Sequence, residues 1–237
     1  MTNEDFSNGF DTLLNSFAYT AHANGEVSGQ LQLDEYEKSF FLTKAQEQLV
    51  QSLYDGRNSN GDSFERTEEM RRMLSDLVME EKMLPMEDVS YLHGVDKNSK
   101  FFTLPYELWF ITYEEVEVSD GKCGTSVLNV YPVTQDEYQK IRKNPFRGPG
   151  DRRAVRLDLY DGIVEIVSKY TIGSYYIRYI KKLPPIILVD LPDGLTLGGS
   201  SKKSLTALNP SLHQRILELA VMLALQSRGL NRNNENK

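Results

Sequence analysis

The side chains able to do chemistry are few and scattered. Three histidines, His22, His93 and His213, lie far apart, and none stands at metal-ligand spacing from Cys123 or from another histidine. A zinc site draws its ligands from short, closely spaced pairs, so these residues are expected to be solvated or hydrogen-bonded structural histidines, with no metal bound. Cys123 follows the turn Asp120-Gly121-Lys122, and no serine sits in a G-x-S-x-G elbow, so neither usual setting for an activated nucleophile is present. Glu114, Glu115 and Glu117 are crowded together, but acid–base work by paired carboxylates needs a second acid across a cleft. They read instead as a charged edge strand that resists unwanted pairing. No catalytic residue is assigned.

The glycine-rich and oxygen-rich loops carry no ligand-binding pattern either. Gly148-Pro149-Gly150 and the run Gly198 to Ser204 match neither G-x-x-x-x-G-K-[ST] nor G-x-G-x-x-G, and are read as plain loops. Asp55 to Asp62 is rich in oxygen ligands, yet Arg57 and a misplaced glycine break the calcium-loop pattern. No cofactor is expected. The strongest charge signal is the basic stretch Lys140, Arg142, Lys143, Arg147, Arg152, Arg153 and Arg156, interrupted by Pro145-Phe146 and Gly148-Pro149-Gly150. Such a stretch has three destinations: DNA phosphates in a channel, acids on an adjacent subunit, or solvent. Protein contact and solvent together outweigh DNA, and the seven residues are carried forward as DNA-channel or subunit-interface candidates.

The elements that must position these residues divide the chain. Phe6, Phe10, Leu13, Leu14 and Phe17 repeat at the spacing of one helical face, predicting a helix over 4–22 that ends at Asn24-Gly25. Leu33, Asp34 and Glu37 form a staple and capping box for a second helix, with Phe40, Phe41, Leu49, Val50 and Leu53 apolar as far as Asp55-Gly56. A third is predicted over 63–83, with Phe64, Met70, Met73, Leu74, Leu77 and Val78 inward, stopping before Pro85. From about residue 100 the chain becomes aromatic and β-branched. Leu108 to Val118, Thr125 to Val133, Arg153 to Leu159, Gly162 to Lys169, Tyr175 to Ile180 and Ile186 to Val189 read as strands, with Asp120-Gly121 and Asp161-Gly162 as hairpin turns. Asn209 and Pro210 then open a helix whose face is Leu212, Ile216, Leu219, Ala220 and Leu223 and which closes at Gly229. The polar tail from Leu230 to Lys237 lacks periodicity.

These elements predict an α+β fold with N-terminal helices, a central, mostly antiparallel β body and a C-terminal helix. The expected division is 1–99 helical, 100–206 strand-rich, and 207–237 a helix and tail packing back on the helical region. At 237 residues, 40% hydrophobic and 26% charged, the chain is long enough to bury a real core. A net charge of -7 argues against a whole-surface nucleic-acid binder. One cysteine cannot make an internal disulfide, so assembly in the cytoplasm is expected. Neither a secretory leader in Met1 to Asp11 nor a membrane-length apolar run is expected.

Four segments carry a family resemblance. They are Leu33 to Val50 (LDEYEKSFFLTKAQEQLV), Pro132 to Tyr138 (PVTQDEY), Asn144 to Pro149 (NPFRGP), and Ile177 to Leu188 (IRYIKKLPPIIL), followed downstream by Pro210 to Val221 (PSLHQRILELAV). In order and wording they resemble the head-to-tail adaptor or ring proteins of short-tailed phages, most closely those of the crAss-like phages of gut bacteria. The similarity spans roughly residues 30–225, and the Gly/Ser/Lys loop at 194–204 departs from it. The resemblance implies a non-enzymatic virion subunit in the connector between head and tail, placed below the portal around the DNA channel and assembled in the host cytoplasm. Its implied partners are itself, in a cyclic, dodecameric homo-oligomer, the portal, other tail or ring proteins and, non-specifically, packaged DNA, with no membrane. Two other classes stay open on the residues alone: a small hydrolase or nucleotide-binding enzyme with a site assembled from distant residues, and a scaffold or binding factor that never enters the particle.

Overall fold

The structure is a computed structural model; it describes residues 1–23, 32–57, 63–64, 67–119 and 124–227, with only the backbone described over 18–23. The predicted helix stops at Asn24-Gly25 and Gly229, the predicted turn at Asp120-Gly121, residues 58–62 of the oxygen-rich loop, Cys123 and the tail lie outside the described residues. The fold is α+β and forms two compact units, Met1–Asp76 with Leu183–Lys237, and Leu77–Lys182.

The first unit is helical. Helix α1 spans Asn3–Ala23, α2 Glu35–Asp55, α3 Glu68–Leu74 and α5 His213–Ser227. Helix α2 starts at the predicted capping box: Asp34 Oδ1 accepts from the Glu37 amide at 2.7 Å, and Glu37 Oε2 accepts from the Asp34 amide at 3.1 Å. It ends on Gly56 at φ 76°, the left-handed conformation that glycine adopts without steric cost. Phe6, Phe10 and Leu14 of α1, Leu42, Leu49 and Leu53 of α2, and Ile216, Ala220 and Ala224 of α5 are buried. Each large side chain removed from water contributes about 1.5–3 kcal/mol. The buried stripe of α5 also includes Leu217 and Val221, while the predicted Leu219 and Leu223 are half-buried, a rotation of the stripe toward its neighbours. Helices α1 and α5 approach closely at Gly9, where a Cβ would stand 2.8 Å from Leu217 Cδ2. Lys38 of α2 is buried, and its Nζ reaches Asp11 of α1 at 2.7 Å and Glu35 at 2.9 Å.

Residues 186–189, predicted as a strand, join no sheet, and within the segment 184–188 only Ile187 makes an isolated bridge, to Ser204. The segment's backbone groups are met by one polar stripe of α2. Gln46 Nε2 donates to the Pro184 carbonyl at 3.0 Å, Thr43 Oγ1 accepts from the Ile186 amide at 3.0 Å, and Ser39 Oγ accepts from the Leu188 amide at 3.0 Å. The spacing 39, 43, 46 puts all three on one helical face. Asn3 Nδ2 adds a bond to the Ile187 carbonyl at 2.7 Å, and Ile187 exchanges two backbone bonds with Ser204 at 3.0 Å. The apolar side chains of Ile186, Ile187 and Leu188 are thereby buried with their peptide groups paired.

The second unit is a mixed sheet of seven strands among the described residues, ordered β1-β7-β3-β4-β5-β6-β2. The strands are β1 Val78–Met83, β2 Lys100–Thr103, β3 Leu108–Ser119, β4 Thr125–Val133, β5 Arg153–Asp158, β6 Ile163–Val167 and β7 Thr171–Lys181. All neighbours are antiparallel except β4 and β5, which run parallel because a short helix, α4 (Gln135–Ile141), crosses between them. The predicted turn at Asp161-Gly162, with φ 52° and 70°, joins β5 to β6. The predicted third helix, 63–83, is confined to Glu68–Leu74 and a single 3-10 turn; Val78–Met83 is an edge strand on β7. Pairing with β7 there overrides the helix propensity of Met79, Glu80, Glu81 and Lys82. Phe102, Val116, Leu128, Val164, Ile166, Tyr175 and Ile177 form the core on one face of the sheet, and Tyr138 of α4 joins Val155, Leu157 and Val167 in a second cluster.

Thr43→Val keeps the shape of the side chain but strands the buried amide and carbonyl of Ile186, so unfolding free energy should fall by about 1–3 kcal/mol in a urea titration. An unchanged midpoint would show that α2 does not hold the segment through that hydroxyl.

Candidate functional site

The basic stretch is carried by α4, the loop after it and β5. Helix α4 was not predicted, although its signal is local: Thr134 Oγ1 accepts from the Glu137 amide at 3.2 Å, the serine or threonine cap with glutamate three residues on. Lys140 lies in its last turn, with Arg142 and Lys143 just beyond; all three are exposed, as is Arg152. Arg147 is exposed and pairs with Glu137 at 3.3 Å. Arg153 is half-buried, donates to the carbonyls of Phe146 (3.0 Å) and Arg147 (3.3 Å), and lies 4.2 Å from the centre of the Tyr131 ring.

The seventh residue, Arg156, points elsewhere. It is buried on β5, with Nη1 2.7–2.8 Å from both carboxylate oxygens of Glu114 on β3 and Nε 2.8 Å from Asp158. Tyr175 of β7 donates its hydroxyl to Glu114 Oε2 at 2.6 Å. Burial raises the Glu114 carboxyl above its ordinary value, against the opposing pull of Arg156 and Tyr175. Burial and the Glu114 charge push the Tyr175 phenol upward, and the same carboxylate keeps Arg156 charged. Arg156 thus neutralises an internal acid. The reading of Glu114, Glu115 and Glu117 as an edge strand is corrected: β3 lies between β7 and β4. Each acid has its own partner, since Tyr113 donates to Glu115 at 2.6 Å, and Ser174 donates to Glu117 at 2.8 Å with Lys82 at 3.8 Å.

Beside α4 a cleft of about 550 Å³ is lined by Asp96, Tyr138, Arg142, Lys143, Ser168 and Lys169, among others. Its rim mixes both signs, and Lys169 is held by Asp151 at 2.7 Å. Among the described residues no group of histidine, cysteine and carboxylate side chains could hold a metal ion, and no helix is long and apolar enough to cross a membrane. His93 is exposed in a loop. His213 is buried beneath Phe6, with ring centres 5.5 Å apart, and its Nε2 lies 3.0 Å from the Leu208 carbonyl. Burial lowers its pKa from the ordinary 6.5.

The arrangement sets exposed cations, with Glu137 and Asp151 among them, on the surface around α4 and a buried, paired Arg156 and Glu114 inside the sheet. Comparison with known proteins places the molecule among structural phage proteins: the chain belongs to the phage tail ring protein 3/4 family, whose model matches residues 1–236. It is similar to Ring protein 3 of Bacteroides phage crAss001, 47% identical over 232 residues and 96% of both chains. Ring protein 4/5 of the same phage is 32% identical over 234 residues, 94% of this chain and 92% of that one. The similarity visible in the four segments is therefore that of a crAss-like phage ring protein.

Removing one partner of the buried pair is costly because the other charge stays buried. Glu114→Gln should lower unfolding free energy by about 3–5 kcal/mol in denaturant, and the double variant Glu114→Leu/Arg156→Met should recover most of it. A loss below about 1 kcal/mol in the single variant would contradict the pairing. His213 titrates in a separate window. The folded state keeps the ring neutral where the unfolded chain protonates it, so its contribution is complete above pH 6.5 and declines as pH falls through that value. The melting temperature of the native chain should therefore drop more steeply than that of His213→Gln between about pH 7.5 and about pH 5.5; parallel curves would rule this out.

Proposed function

We propose that the chain is a structural subunit of a tailed-phage particle, one copy of a closed ring in the connector that joins capsid to tail around the DNA channel. The observation that carries this reading is the 47% identity to Ring protein 3 across 96% of both chains, against 32% to Ring protein 4/5. That difference supports a ring-3-type layer. Ring formation by identical subunits needs a head-to-tail interface whose rotation closes on itself. Function then comes from shape and self-association, with no residue acting as acid, base or metal ligand and no cofactor required. The resemblance supports a dodecameric ring beneath the portal, with assembly in the host cytoplasm and residence in the virion.

Two features of the fold suit that role. Paired interior charges fix the sheet, and exposed apolar side chains such as Tyr106 and Phe146 are available to neighbours. Of the basic residues, Lys140, Arg142, Lys143 and Arg152 remain exposed for contact with a neighbour or with DNA passing the lumen.

Native mass spectrometry of the purified chain, alone and with its portal, tests the reading directly. A symmetric oligomer is expected in at least one condition. A lone 27.1 kDa species in both conditions would overturn it.

A further inference from the structure

Phe146 sits in the loop Asn144 to Pro149 and is 86% exposed. Single exposed apolar residues are common, but this one is held in place by a framework of hydrogen bonds. Asn144 Oδ1 accepts from the amides of Phe146 at 2.9 Å and Arg147 at 3.3 Å. The Gly148 amide donates to the Asn144 carbonyl at 2.9 Å. Arg153 grips the carbonyls of Phe146 and Arg147 from below while its own guanidinium lies on Tyr131. Gly148 is required by this geometry, since a Cβ there would meet the Ile141 carbonyl oxygen at 2.5 Å. The loop is thus ordered before any partner arrives, so little entropy is lost on docking.

Charge supplies the identity of the partner. Residues 140–153 hold six cations and the single acid Asp151, a local excess of +5 in a chain of net -7, which leaves -12 on the rest. A second copy is therefore complementary to this stretch in net charge. An apolar anchor rimmed by charge is the usual make-up of a protein contact. DNA fits less well, because Asp136, Glu137 and Asp151 stand among the cations, and Arg147 and Lys169 are already paired to two of them.

We propose that Phe146, with the neighbouring cations Arg142, Lys143 and Arg147, is a preordered plug that docks on the adjacent identical subunit, whose other residues are net acidic. This rests on the ring reading above. The plug is the basic half of a head-to-tail contact, so each copy gives one and receives one.

The test uses the full chain, with the portal where the ring requires it. Phe146 is replaced by the photoreactive analogue p-benzoyl-phenylalanine, and the assembled ring is irradiated. Covalent dimers of the chain joined at residue 146 are expected on a denaturing gel. Cross-links confined to DNA or to a different protein, or rings that yield no dimers, would overturn the inference. In parallel, Phe146→Ser should cut the ring fraction at least about tenfold at fixed concentration with an unchanged melting temperature. Rings that form as readily with Phe146→Ser would remove the plug and leave the ring reading intact. Failure of the native chain to form rings under either condition would remove both.

Discussion

One constraint shapes both units of this fold: a backbone amide, backbone carbonyl or charge taken from water must find a partner where it lands. The two units meet it differently. In the helical unit, Ser39, Thr43 and Gln46 turn one face of α2 into a substitute strand for the segment 184–188. In the sheet, Arg156 and Glu114 bridge β5 and β3 across the intervening β4, and Tyr175 closes the group with its hydroxyl. The buried ion pair gains little over an apolar pair of similar volume, whereas the polar stripe of α2 satisfies backbone groups that apolar side chains would strand; both penalise any other packing.

That constraint also sorts the basic residues. Arg156 belongs to the interior, and Arg153 serves the loop that it grips. Lys140, Arg142, Lys143 and Arg152 stay in solvent, while Arg147 is tethered to Glu137. A stretch that reads as uniform positive charge becomes, in three dimensions, one internal counter-ion, one scaffold residue and a surface rim.

The sequence makes the locally encoded elements legible. Helices α1 and α2 follow from apolar spacing and from the Asp34/Glu37 cap, and the β5–β6 hairpin follows from Asp161-Gly162, because those signals act within a few residues. Two readings fail for the opposite reason. Val78–Met83 has helix-forming residues but is claimed by β7, about a hundred positions away, and 186–189 has strand-forming residues but is claimed by α2. Helix α4 could have been found from Thr134 and Glu137. At the candidate site the cations and the acids are each visible as clusters, but the pairing of Glu114 with Arg156 joins residues 42 apart in sequence and leaves no periodic trace.

A closed ring of identical copies is the claim on which the functional account stands, and imaging the particle tests it most directly. Cryo-electron microscopy of intact virions, averaged at the junction of head and tail, should show this chain as a continuous ring around the DNA. A well-resolved junction that contains no copy of the chain, or isolated copies that do not close, would contradict the account.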